Sequence, residues 1–157
     1  MLSVFQSIEW SWAGQMLKNS PWAFAVIESI HLLALATIGG AVLLVDMRLL
    51  GLGLRQQTVR DVARYAQPIL VSSLIVLLLT GFGLFVSEAI KCYYSTPFWI
   101  KMTSLALAML FTFTIKRKAT LTGTGTAGPA MLRVVALVSL VLWFGVAASG
   151  RWIGFSG

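Results

Sequence analysis

Acidic residues are scarce in this chain of 157 residues. Five Asp and Glu stand against twelve Lys and Arg, and charged residues make up 11% of the total, whereas a typical soluble domain has about 25%. Because there is one cysteine, an internal disulfide and a metal site built from several cysteines are excluded. The phosphate loop, the zinc-protease motif, the nucleophile elbow and Cys-x-x-Cys are also missing. We therefore predict no catalytic residues.

Hydrophobic residues supply 58% of the chain and concentrate in four long apolar stretches. The prolines Pro21, Pro68, Pro97 and Pro129 each lie at or near the start of one stretch. Proline fits the first turn of a helix because its missing N–H has no intrahelical partner there. We predict an all-α fold, an integral-membrane four-helix bundle that forms a single domain over 1–157. The predicted spans are about 21–45, 68–90, 97–115 and 129–153.

The residues before the first span show a helical pattern that is too polar to cross a membrane. Phe5, Ile8, Trp12 and Met16 recur at helical spacing, and polar residues occupy the rest of the helix circumference. This pattern predicts a short interfacial amphipathic helix over about 3–18, lying on the membrane surface.

Several polar residues mark expected helix starts. Ser20 and Thr96 precede Pro21 and Pro97 and are expected N-caps. Thr58 followed by Asp61 resembles a capping box, which leaves a second interpretation of the next span open. In that interpretation a short helix runs directly into the span, so that Pro68 lies inside one longer helix and kinks it.

The net charge of +7 raises the question of a nucleic-acid partner. The basic residues lie in short loops beside apolar spans, however, so we expect the lipid bilayer as partner and no nucleic acid. The side with more basic residues is predicted to face the cytoplasm, which places both termini outside it. That side holds Arg48, Arg55, Arg60, Arg64, Lys116, Arg117, Lys118 and Arg133, whereas the other holds Lys18, Lys91, Lys101 and Arg151.

Glu28 and His31 lie three residues apart in the first span, near the membrane centre. His31 has several interpretations. It can be a neutral histidine satisfied within the protein, a ligand of haem iron, or a residue that contacts a quinone or relays protons. A b-type haem would need a second ligand, because this is the only histidine: Met102 or Met109, an open position, or a second chain. A metal role for His31 is expected only if haem iron is bound.

Four charged residues are expected at similar depth in the outer half of the bundle. They are Glu28, Glu88, Lys101 and Arg151. One interpretation is a structural ion-pair network that holds the four helices together. The alternative is a cofactor site for haem b or a quinone, formed by His31 with Glu28, Lys101 and Arg151, in which the guanidinium can hold two oxygens.

Three stretches resemble an uncharacterised family of small four-helix bacterial inner-membrane proteins: IHLLALATIGGAVLLVDMRLLGLGLR, TGFGLFVSEAIKCYYSTPFWIKM and GRWIGF. The matching features are His31, the turn from Asp46 to Gly51, and Pro97 to Lys101. The resemblance implies a multi-pass protein of the bacterial inner membrane. This family is distantly similar to the membrane domain of copper-resistance protein D, which implies a link to metal or redox chemistry in the envelope.

These observations favour a small non-catalytic membrane subunit. We expect it to pack in a homo-oligomer or with other membrane subunits, including those of an electron-transfer complex. The first alternative is a b-type haem or quinone-interacting electron carrier that uses His31. The second is a transporter of a small solute or metal.

Overall fold

A computed structural model describes residues 2–53, 56–122 and 128–153, and within these ranges it is all-α with no strands. The prediction of an all-α fold is confirmed. The elements are α1 (Leu2–Glu9), α2 (Trp12–Lys18), α3 (Pro21–Leu50), α4 (Val59–Ser87), α5 (Ala89–Tyr94), α6 (Thr96–Phe111), a π-helical segment π1 (Thr112–Lys116), α7 (Arg117–Thr122) and α8 (Pro129–Ile153).

Four helices are long and apolar enough to cross a membrane, so the chain is a multi-pass membrane protein. They are Pro21–Leu50, Val59–Ser87, Thr96–Leu121 and Pro129–Trp152. The first three extend beyond the predicted spans toward the side of the connecting loops. α6, π1 and α7 form one continuous third span.

The second span shows why the longer helices were only partly predicted. Thr58 caps α4 by accepting the N–H of Asp61 at 3.1 Å, and Pro68 lies inside the helix. The interpretation with one longer helix is therefore correct. Because proline has no N–H, the hydrogen bond to the carbonyl four residues earlier is missing at this point.

The starts and ends of the other spans follow from local chemistry. Ser20 caps α3 as predicted, accepting the N–H of Ala23 at 3.5 Å. Gly51 ends the same helix with a left-handed φ of 78°, which glycine adopts without strain. The predicted Thr96 cap is wrong: Thr96 is already helical, and Ser95 is the N-cap residue, without a side-chain hydrogen bond to the helix.

The four spanning helices do not pack equally. α3 packs against both α4 and α8, and α6 packs against α8. Contact between α4 and the third span is weaker and comes chiefly through α7. Among neighbouring pairs of spans, the bundle is therefore loosest between α4 and the third span. The buried apolar core lies along α3 and includes Ile38, Val42, Leu77, Ala108, Ala136 and Val146.

The buried face of α3 runs along His31, Ile38 and Val45. The helical spacing of Glu28, Leu35, Gly39, Val42 and Asp46 predicts that they share one side of α3 that faces the bundle. This prediction is confirmed for Val42 and Asp46, which are buried, and is wrong for Glu28 and Gly39, which are exposed. Gly39 comes one residue after the buried Ile38, so it lies about 100° further around the helix axis, away from the buried face.

The N-terminal segment forms two helices and not the single predicted one, since Trp10 and Ser11 are not helical. α1 packs against α5, and α2 packs against α4. A Cβ at Gly14 would lie 2.5 Å from the Glu9 carbonyl oxygen, so this close approach requires glycine. A position at the lipid interface for these two helices stays a prediction.

Glu9 fixes the N-terminal helices to the end of the bundle that carries α5. Its buried carboxylate accepts the backbone N–H of Ile90 at 2.8 Å and pairs with Lys18 at 2.5 Å. Burial acts to raise the pKa of Glu9, but the hydrogen bonds from Lys18 and Ile90 and the charge of Lys18 outweigh it and lower the pKa. The carboxylate therefore stays charged while it holds the two segments together.

Candidate functional site

Two polar clusters lie inside the bundle, and each joins α3 to a lysine of the third span. The first, which we call the outer layer, consists of His31, Thr80 and Lys101. His31 is buried, with Nδ1 2.9 Å from the Thr80 hydroxyl and Nε2 3.2 Å from the Lys101 Nζ. Three of the four spanning helices therefore meet at one imidazole ring.

The hydrogen bonds of the outer layer define the tautomer of His31. The Thr80 hydroxyl donates to the carbonyl of Val76 at 2.7 Å, so its oxygen is left to accept the Nδ1–H. Nε2 then carries the lone pair that accepts from the Lys101 ammonium. A protonated ring would place a second N–H against that ammonium. The arrangement therefore fits a neutral imidazole.

The imidazole ring is also enclosed by neighbouring backbone. A Cβ built on Gly81 would lie 3.1 Å from the His31 Cε1, so glycine is what allows α4 to approach the ring. Both ring nitrogens already have partners, whereas a haem ligand needs one nitrogen free. Of the two candidate second ligands, Met102 is exposed on α6 and Met109 packs against the apolar core. This geometry does not fit haem ligation by His31.

The predicted site residues are only partly brought together. Lys101 meets His31, but Glu28 is exposed, and Glu88 forms its ion pair with Lys91 at 3.9 Å. Arg151 is exposed near the end of α8. Over the described ranges, no carboxylate lies within 4.0 Å of the Lys101 ammonium. The outer layer therefore carries a positive charge that no described acid neutralises.

The second cluster, the inner layer, consists of Asp46, Lys116 and Ser139. The Lys116 Nζ lies 2.7 Å from an Asp46 carboxylate oxygen and donates to the Ser139 hydroxyl at 3.0 Å. It also approaches the carbonyl of Val42 at 3.5 Å. Asp46 is 0% exposed and Lys116 is 4% exposed, so this ion pair is fully enclosed. It connects α3, π1 and α8.

Lys116 lies on the same side of the third span as the buried Leu105, Ala108 and Thr112, and it is the last residue of a segment with a different helical repeat. Thr112–Lys116 form a π-helical segment, in which the wider turn shifts the following side chains around the axis. Trp143 of α8 donates its indole N–H to the Thr112 hydroxyl at 3.1 Å and so closes the same segment against the bundle. Short π segments are frequent at functional sites.

The inner layer was missed from the sequence, since Lys116 was counted with the basic loop that follows the third span. A usable signal was present. The apolar run FTFTI leads directly into Lys116 without a turn residue, so the helix continues through it. What the pattern did not indicate is that the carboxylate at the end of α3, Asp46, lies opposite.

A cleft of about 60 Å³ opens beside the inner layer, between α4 and the third span. This is where the bundle is loosest. Its lining is mostly apolar, with polar groups from both sides: Val45, Ala63, Ala66, Gln67, Leu70, Thr112, Phe113, Lys116, Arg117 and Thr120.

The described part of the chain contains no group of three or more His, Cys, Asp or Glu side chains that could hold a metal ion. Cys92 lies in α5, outside the spans. Burial and the nearby charge of Glu88 raise the pKa of its thiol to about 11, so at neutral pH it is a poor nucleophile. Chemically, the two layers offer hydrogen-bond donors, paired charges and two hydroxyls, Thr80 and Ser139, that are hydrogen-bonded within the bundle.

Comparison with curated proteins and with solved structures finds no match. The similarity to copper-resistance protein D therefore stays an untested prediction. A protein-family model matches residues 4–156, which is nearly the whole chain, and supports the predicted membership of an uncharacterised family. The chain belongs to a family of unknown function, DUF6644.

Proposed function

We propose that this protein is a small non-catalytic integral-membrane subunit that packs in a homo-oligomer or in a larger membrane complex. The observation that carries this proposal is the inner layer: Asp46 and Lys116, both fully buried, neutralise each other inside the bundle. Charged groups inside a membrane domain commonly serve substrates or ions. Here the ion pair and its hydrogen bond to Ser139 join helices of the same chain.

The outer surface supplies the area that such packing needs. Large apolar side chains on all four spans are exposed, among them Leu33, Leu79, Leu110, Val141 and Phe144. Lipid tails are as apolar as these residues, so association in the membrane depends on close packing and on polar contacts. In this proposal some of these faces contact other subunits.

Cross-linking in native membranes followed by native mass spectrometry tests the proposal. Single cysteines at Val141 and Leu79, both about 70% exposed, are introduced into a Cys92→Ser background. We expect one position to give a discrete cross-linked dimer or a heteromeric product, and native spectra in mild detergent to show the same species. Monomer alone in several mild detergents, with no cross-linked product, contradicts the proposal.

We place the protein in the bacterial inner membrane with both termini outside the cytoplasm. Support comes from the excess of basic residues at the end of the bundle that carries the α3–α4 and α7–α8 connections. The test uses a membrane-impermeant maleimide on intact cells. A cysteine at Trp12 should be labelled, whereas one at Gln57 should be labelled only after lysis. The reverse pattern contradicts this orientation.

A second candidate function, contact with a quinone, is favoured by one observation: the Lys101 ammonium has no described carboxylate partner and lies against a neutral His31. A quinone carbonyl oxygen accepts hydrogen bonds from such donors. Quinone extracted with purified wild type, compared with Lys101→Met, tests this directly. Equal quinone content in the two proteins, or none in either, removes the candidate.

Oxidised and dithionite-reduced absorption spectra of the purified wild type test the alternative that the protein binds haem through His31. Because both ring nitrogens of His31 are engaged, we expect no haem band. A haem band that disappears in His31→Ala would show that the ring is released to bind iron.

A further inference from the structure

We propose that the cleft between α4 and the third span binds the headgroup of an anionic phospholipid of the surrounding bilayer. The cleft lies at the basic end of the bundle and is independent of the subunit function proposed above. Basic pockets between membrane helices are known to bind such headgroups.

The cleft combines a buried floor with an exposed rim. Thr112, Lys116 and Thr120 of the third span are buried, and Thr120 is held by its hydrogen bond to the Arg117 carbonyl at 2.9 Å. Gln67 of α4 and Arg117 of α7 are exposed on opposite sides of the opening. A phosphate at the opening would therefore meet an amide from one helix and a guanidinium from the other.

The charges around the opening favour an anion. Arg117 has no carboxylate within 4.0 Å in the part of the chain that the structure describes. Arg60 and Arg64 are exposed on α4 two turns and one turn before Gln67, on the same side of that helix. The acids of this end are already engaged: Asp46 pairs with Lys116, and Asp61 accepts from Thr58 at 2.6 Å.

The apolar walls distinguish a lipid from a free phosphate. Ala66 and Leu70 line one side of the cleft, and Phe113, 38% exposed, lines the other. A soluble anion would gain nothing from these walls, whereas the first methylenes of an acyl chain would pack against them. The combination of guanidinium, amide and apolar wall fits a phospholipid whose headgroup carries a net negative charge.

Native mass spectrometry with lipid titration tests the proposal on the full chain. Phosphatidylglycerol and phosphatidylcholine are added in parallel to delipidated protein in mild detergent. We expect wild type to bind the anionic lipid more tightly, and Arg117→Gln to lose about fivefold in that affinity, as one basic residue near a phosphate contributes. Arg133→Gln, which removes an exposed charge outside the cleft, is the matched control and should change it little.

A second variant tests whether lipid binding depends on the space in the cleft as well as on its charge. Ala63 lines the cleft and is partly buried, so Ala63→Leu should fill the space without changing the charge. We expect it to weaken binding of phosphatidylglycerol while the folded bundle is retained, as checked by circular dichroism. The proposal is overturned if Arg117→Gln and Arg133→Gln weaken binding equally, if Ala63→Leu has no effect in a folded protein, or if both lipids bind wild type equally.

Discussion

The outer and inner layers share one kind of contact, between α3 and a lysine of the third span, and differ in the residue that α3 supplies to it. In each, a lysine of the third span reaches a polar residue of α3, and the two layers are fifteen residues apart on both helices. This spacing corresponds to about 22 Å of helix rise. The α3 residue is His31 in the outer layer and Asp46 in the inner layer. One lysine therefore faces a neutral ring and the other a carboxylate.

Burial follows this difference in charge. Lys116, neutralised by a carboxylate, is 4% exposed, whereas Lys101, which has a neutral partner, is only partly buried. An uncompensated cation is costly away from water, so it stays nearer to polar surroundings. We propose that the inner layer holds the bundle together and that the outer layer keeps a charge available for another molecule.

Lys116→Met should have the largest effect on stability. It leaves the Asp46 carboxylate fully buried without its counter-charge, and breaking a buried pair in this way costs about 3–5 kcal/mol. Unfolding in mixed detergent and SDS micelles, followed by circular dichroism, measures the change. Arg133→Met, at an exposed basic residue of α8, is the control. A loss below about 1 kcal/mol, within the range of exposed pairs, would show that the inner pair is not important for stability.

Gly81→Ala should have an intermediate effect. The added Cβ would lie 3.1 Å from His31, so the ring must move and its hydrogen bonds to Thr80 and Lys101 must lengthen. Gly39→Ala is the matched control, because nothing lies within 4 Å of a Cβ at that position. Alanine in an open helical site stabilises by about 0.5–1 kcal/mol. We expect Gly81→Ala to be less stable than Gly39→Ala by about 1–2 kcal/mol, and equal stabilities would contradict the close contact.

Lys101→Met should change stability by only about 1 kcal/mol, in contrast to the same substitution in the inner layer. The His31 Nε2 loses its donor, which costs about 1–3 kcal/mol. The substitution also removes a partly buried cation without a described counter-charge, and this gain offsets part of the cost. The same unfolding assay measures it. A loss as large as that of Lys116→Met would show that Lys101 is paired as tightly as Lys116.

Acid should release the N-terminal helices with a small, local effect. The pKa of Glu9 is lowered in the folded protein, so its contribution is present above the ordinary value of 4.5 and is lost as the pH falls through the lower folded pKa. Amide hydrogen exchange of Ile90, corrected for the intrinsic rate, should accelerate on acidification. In Glu9→Gln, protection should be weaker and insensitive to pH over the same range. Identical profiles in the two proteins would contradict the role of the carboxylate.

The sequence predicted the spans well because their signals are local. Ser20 and Pro21 mark the start of α3, and the inward position of His31 follows from the cost of a polar group in lipid. The inner layer was not predictable in the same way. Its lysine begins a run of three basic residues that is typical of a loop beside a span, and its partner Asp46 is remote in the chain. The exposure of Glu28 likewise depends on where α4 and α8 pack around α3.

Parallel double-mutant cycles on the two layers measure how strongly each lysine is coupled to its partner on α3. One cycle combines Asp46→Asn with Lys116→Met, and the other combines His31→Gln with Lys101→Met, in the same unfolding assay. We expect a coupling energy of about 2–3 kcal/mol for the inner pair and about 0.5 kcal/mol or less for the outer pair. Equal coupling energies, or a larger value for the outer pair, would contradict the division between a structural inner layer and an available outer one.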